Sequence, residues 1–126
     1  MKRKIRIGTR ESQLALWQAN EVKRLLELKG YDAELVQIKS EGDIDLVTPL
    51  YALGVQGVFT KALDAALLSD RFDIGVHSMK DVPMNLPDGF MMAAVGERED
   101  ARDAFVSNTF ASLEDLPNGS IVGTSS

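Results

Sequence analysis

Apolar and polar positions alternate from Lys4 to Thr9 and then meet a Gly-Thr pair, which predicts a strand running into a turn. From Ser12 to Lys29 the apolar spacing becomes helical. Ala15, Ala19, Val22 and Leu26 form one stripe with Leu14 and Leu25 beside it, while Glu21, Lys23, Arg24 and Glu27 take the solvated side. Gly30 is placed to end that helix in a left-handed conformation. Alternation returns over Asp32 to Lys39 and predicts a second strand. Ser40 to Gly57 is polar and glycine-bearing and reads as a long loop, a kind of segment that often carries function. Phe59, Ala62, Leu63, Ala66 and Leu67 then mark a second amphipathic helix, with Lys61 and Asp64 outside, and Phe72 to His77 a third strand. Strand, helix, strand, helix, strand predicts right-handed crossovers and a mainly parallel sheet, an α/β fold.

Beyond Pro83 the pattern changes. Pro87-Asp88-Gly89 is a turn, and Phe90 to Val95 and Ala104 to Ser107 read as strands on either side of a charged run, Glu97 to Asp103. Leu113 to Pro117 suggests a brief helical turn. Ile121-Val-Gly-Thr-Ser-Ser126 echoes Arg6-Ile-Gly-Thr-Arg-Glu-Ser12: a strand, Gly-Thr, then serine at a helix start. The echo predicts a second α/β unit opening near Ala104 and stopping before its helix, so the chain is expected to be a fragment.

Composition narrows the chemistry. The 126 residues carry a net charge of −5, which argues against a general nucleic-acid or anionic-membrane surface while leaving room for a local basic pocket. There is no cysteine and a single histidine, so neither a disulfide framework nor a thiolate or histidine metal site is expected. The basic start, Met-Lys-Arg-Lys, is followed by no apolar signal core, and no stretch approaches a membrane span. A cytoplasmic protein is expected.

In open α/β sheets, ligands bind beyond the carboxyl ends of the strands. Two segments fall there. Val76-His-Ser-Met-Lys-Asp-Val-Pro83 packs an imidazole, a hydroxyl, a cation and an acid into five positions, and Gly8-Thr-Arg-Glu-Ser12 opens a helix whose N–H groups favour an anion. Arg10 adds a planar fork suited to carboxylate or phosphate. A parallel sheet would bring Arg10, Ser12, Ser78, Lys80 and Asp81 to one cleft, with Gln18 on the helix flank. Each has a plainer alternative. Thr9 or Ser12 could simply cap the helix beside a surface Arg10, Ser78-x-x-Asp81 matches a capping box, His77 suits a structural role, and Gln18 could face solvent.

Ile7-Gly-Thr-Arg-Glu-Ser-Gln-Leu-Ala-Leu-Trp-Gln18, Val76 to Pro83, Glu97-Arg-Glu-Asp100 with Arg102-Asp-Ala-Phe-Val106, and Ile121 to Ser126 together resemble the porphobilinogen deaminase (hydroxymethylbilane synthase) family across essentially the whole chain. The resemblance implies a transferase of tetrapyrrole and heme biosynthesis that joins four porphobilinogen units head to tail, releasing ammonia at each step. Its primer is a dipyrromethane cofactor held through a cysteine, which this chain lacks. The resemblance assigns Asp81 as catalytic acid, Arg10 and Gln18 to the substrate, and Ser12, Ser78 and Lys80 to the cofactor's acidic side chains, with no metal. It implies a periplasmic-binding-protein-like (type II) fold: an incomplete first domain over residues 1–96, a hinge crossover at 97–102, the opening strands of a similar second domain over 103–126, and no third domain. The partner implied is the small molecule porphobilinogen, without nucleic acid or membrane, in a monomeric parent. Gln56 stands where the family commonly has lysine. The fragment alone is expected to be inactive. The alternatives are a non-catalytic small-anion-binding domain of the same fold, or an interaction fragment without ligand chemistry.

Overall fold

The computed structural model describes residues 3–39 and 60–124. The expected loop from Ser40 to Gly57, with Gln56, and the start of the second helix at Phe59 lie outside these. The chain divides into two compact units, Met1–Met91 and Met92–Ser126.

In the first unit, β1 (Ile5–Thr9), α1 (Gln13–Leu28), β2 (Ala33–Gln37), α2 (Lys61–Leu68) and β3 (Ile74–Gly75) follow in the expected order. β1 lies between β2 and β3 and pairs with both in parallel, Ile7 opposite Leu35 on one side and Ile74 on the other. The ladder beside β3 runs a little past its assigned strand, since Asp73 N–H donates to Arg6 O at 2.9 Å and Val76 N–H to Gly8 O at 3.0 Å.

Side chains alternate between sheet faces with a period of two, so each strand feeds two cores. Ile7, Ala19 and Ala33 are buried together, with Ile5, Val22, Leu26, Leu35, Ile74 and Val76 packed on them beneath α1. Ile38, Leu63, Ala66 and Phe72 form the second core beneath α2, with Val36, Ala62 and Leu67 against it. The result is three layers: helix, sheet, helix. Within the expected α1 stripe Ala15 and Ala19 are buried, whereas the flanking Leu14 and Leu25 remain exposed.

Local signals set the helix ends. Ser12 is the N-cap of α1, its Oγ accepting from Ala15 N–H at 3.3 Å, and Gly30 has φ +85° just beyond the C-terminus. The buried Thr9 hydroxyl faces the carbonyl oxygens of Arg10 at 3.0 Å and Ala15 at 3.2 Å, tying the end of β1 to the first turn of α1. At the opposite edge of the sheet Asp73 accepts from Arg6 N–H at 2.8 Å, from the Arg6 guanidinium at 3.0 and 3.2 Å, and from Arg3. Those bonds, led by the Arg6 side chain, hold the Asp73 carboxyl down at about 2.

Three sequence expectations give way. The runs Phe90 to Val95, Ala104 to Ser107 and Ile121 to Thr124 form no strand. A strand needs a hydrogen-bonded neighbour and an apolar face to cover; here Val95, Val106 and Ile121 are exposed. Among its described residues the second unit carries one 3-10 turn, Leu113–Asp115, where Ser112 Oγ donates to Asp115 Oδ2 at 3.1 Å. Asp64, expected outside, is half-buried. Gly8 does not end β1 as a ligand-facing turn. It lies within the strand, and a Cβ there would collide with ring carbons of the buried Phe72.

Gly8→Ala is therefore expected to destabilise the chain by about 1–3 kcal/mol through overpacking, read as a lower midpoint in chemical denaturation. An unchanged midpoint would show that Phe72 can move aside.

Candidate active site

Parallel strands point their carboxyl ends the same way, so the segments that follow β1 and β3 emerge together. After β1 come Arg10 and Ser12 and the start of α1; after β3 come His77, Ser78 and a 3-10 turn, Met79–Asp81. Their side chains, with Leu14, Ala15, Gln18 and Val76, line a cleft of about 40 Å³. That is room for a carboxylate or a few waters.

Within the cleft Arg10 Nη1 lies 3.9 Å from Asp81 Oδ2, and each side chain is only 18% exposed. The separation is long for a direct hydrogen bond and close enough for the two charges to act on each other. Ser78 Oγ donates to Gln18 Oε1 at 3.1 Å, joining the β3 exit to the flank of α1. Ser12 accepts a capping bond and keeps a hydroxyl proton for an acceptor in the cleft.

Five of the six residues singled out in the sequence thus meet: Arg10, Ser12, Gln18, Ser78 and Asp81. Lys80 does not join them. A 3-10 turn separates consecutive side chains by about 120°, and with Asp81 turned inward Lys80 is exposed. The alternative of a capping box is not formed, since Ser78 makes no side-chain cap bond and Asp81 N–H donates instead to Ser78 O at 3.0 Å. Capping of α1 by Ser12 does hold, whereas Arg10 is no surface residue.

Sequence reasoning set aside two groups that lie at this end of the sheet. His77 lines the cleft, and burial pushes its pKa below the ordinary 6.5. Asp64 on α2 is near enough to feel the imidazole, while burial pushes its own carboxyl upward. The period of two held the signal: His77 falls on the same face as Gly75, the face that α2 covers.

The cleft chemistry is a guanidinium, the Ser12 hydroxyl and a helix start, all suited to carboxylates, beside one acid able to accept N–H donors. A dipyrromethane, with acidic side chains and pyrrole N–H groups, fits that donor set. Among the described residues no helix is long and apolar enough to cross a membrane, and no cluster of three or more His, Cys, Asp or Glu could hold a metal. The family model described as porphobilinogen deaminase, dipyromethane cofactor binding domain, matches residues 5–126, nearly the whole chain. The chain belongs to the porphobilinogen deaminase family.

Proposed function

We propose that this chain supplies the acid-bearing wall of a hydroxymethylbilane synthase, which joins four porphobilinogen molecules into a linear tetrapyrrole with loss of ammonia, in the cytoplasm and on the route to heme. The observation that carries the reading is the half-closed pair of Arg10 and Asp81 in one cleft with Ser12, Gln18 and Ser78. It favours an enzyme over a plain anion-binding domain, because an anion site has no use for a carboxylate facing its arginine.

Each residue has a chemical task. Arg10 binds a substrate carboxylate through its planar fork, and Gln18 orients the same ligand by its amide. Ser12 offers its hydroxyl proton to the cofactor's acidic side chains, and Ser78 would do so by giving up its bond to Gln18. Lys80, on the outside of its turn, keeps its cofactor role on the family resemblance alone. Asp81 accepts the pyrrole N–H and exchanges a proton with the departing amine, positive charge on the ring being offset by its carboxylate. When bound, dipyrromethane supplies the primer from which chain growth starts. The domain division at residues 1–96, 97–102 and 103–126, the periplasmic-binding-protein-like (type II) architecture and the monomeric state belong to the same reading.

In the full-length enzyme Asp81→Asn is expected to lower bilane formation by about 10²–10⁴-fold, the usual worth of a positioned proton-transfer group, with the circular dichroism spectrum retained. Turnover equal to wild type would remove Asp81 from the chemistry. The 126 residues hold no cysteine, so the purified chain alone is expected to give no pink Ehrlich colour for covalent dipyrromethane and to form no bilane. A pink product would contradict this.

A further inference from the structure

We propose that Thr9 is a positioning residue for Arg10, its buried hydroxyl fixing the turn that sets the guanidinium toward the substrate carboxylate. The inference deepens the proposed function and rests on Arg10 binding that carboxylate.

Thr9 stands where the strand pattern calls for an apolar residue. Side chains two apart share a sheet face, and Ile5 and Ile7 ahead of it pack beneath α1. Thr9 continues that row with 0% of its surface exposed. Valine would fill nearly the same volume, and a buried hydroxyl costs stability unless it is hydrogen-bonded. Packing alone therefore gives no reason for the hydroxyl.

Its bonds supply one. The backbone of Thr9 is anchored at the end of the ladder, where Ile38 N–H donates to Thr9 O at 2.8 Å. From that fixed point its single hydroxyl proton is shared between Arg10 O at 3.0 Å and Ala15 O at 3.2 Å, a three-centre bond. Holding the Arg10 carbonyl restrains rotation of the peptide that follows Arg10. Holding Ala15, in the first turn of α1, fixes the far end of the same connection. The direction in which the Arg10 side chain leaves the backbone is set with it. At the tip of that side chain Nη1 lies 3.9 Å from Asp81 Oδ2, with the side chain 18% exposed. A long side chain amplifies a small backbone rotation, and fork-to-fork binding of a carboxylate needs two parallel bonds. The Ser12 cap bond runs to Ala15 N–H and does not pass through the Thr9 hydroxyl, so loss of that hydroxyl falls first on Arg10.

In the full-length enzyme Thr9→Val keeps the packing volume and removes the proton. It is expected to lower kcat/KM for porphobilinogen by about 10–100-fold, the scale on which a misplaced binding group acts, and chiefly through KM. Thr9→Ser keeps the proton and gives up the buried methyl, so it should lower the denaturation midpoint yet retain kcat/KM, an order that a merely structural threonine would not give. In an Arg10→Leu background the Thr9→Val loss should shrink to about twofold or less, because the group it positions is gone. Thr9→Val turning over like wild type, Thr9→Ser as impaired as Thr9→Val, or a Thr9→Val loss undiminished beside Arg10→Leu would each overturn the proposal. If Thr9→Val does not fold, Thr9→Ser decides, and loss of kcat/KM with the methyl alone overturns it. If wild type itself forms no bilane, the enzymatic reading fails and the Arg10 Nε–H resonance still decides the positioning. It should move in Thr9→Val and stay in place in Thr9→Ser; a resonance that Thr9→Val leaves unmoved would overturn the proposal.

Discussion

The ring of Phe72 lies where any side chain on Gly8 would have to be, and that contact sets the rest of the first unit. It closes the core beneath α2 and seats the Phe72 to Val76 segment against the central strand. With β3 held beside β1 in parallel, the turns that follow them leave the same edge of the sheet. Arg10 and Asp81, far apart in sequence, come to face each other at 3.9 Å because two strand ends do. The polar ends of the sheet therefore inherit their geometry from an apolar contact several residues away.

The two arginine–aspartate pairs of this sheet show how context divides structure from chemistry. Arg6 and Asp73 close the amino-terminal side with a set of hydrogen bonds at 2.8–3.2 Å, a saturated pair with nothing further to offer a ligand. Arg10 and Asp81 stand farther apart, at the mouth of a cleft lined by hydroxyls and an amide. Two groups held at ion-pair distance beside one cleft are placed to act on one ligand, a carboxylate on one side and an N–H on the other. Buried or half-buried charges are costly unless paired, and here pairing and ligand binding compete for the same groups.

Much of this was legible in the sequence where a local rule acts alone. Ser12 and Gly30 mark the ends of α1, the stripe from Ala15 to Leu26 marks its buried face, and the order of elements gives the parallel sheet. The convergence of Arg10, Ser12, Ser78 and Asp81 also followed from that order, whereas Gln18 was placed with them only by the family resemblance. What escaped depended on neighbours that no local pattern encodes. The apolar runs at Phe90, Ala104 and Ile121 have the composition of strands, yet find no pairing among the described residues. Asp64 looked solvated from its place on α2, but the sheet face it meets carries His77. Lys80 sits beside Asp81 in sequence, and a tight turn sends the two in different directions. Gly8 looked like the opening of an anion-binding turn, and its real neighbour is a phenylalanine.

The central claim is that Arg10 and Asp81 act on one ligand in one cleft. A double-mutant cycle on kcat/KM for porphobilinogen in the full-length enzyme, with Arg10→Leu, Asp81→Asn and both together, tests it directly. Groups that share a ligand couple, so the double variant should depart from the sum of the singles by about 1 kcal/mol or more. Losses that add to within about 0.5 kcal/mol, as distant independent sites do, would contradict the account.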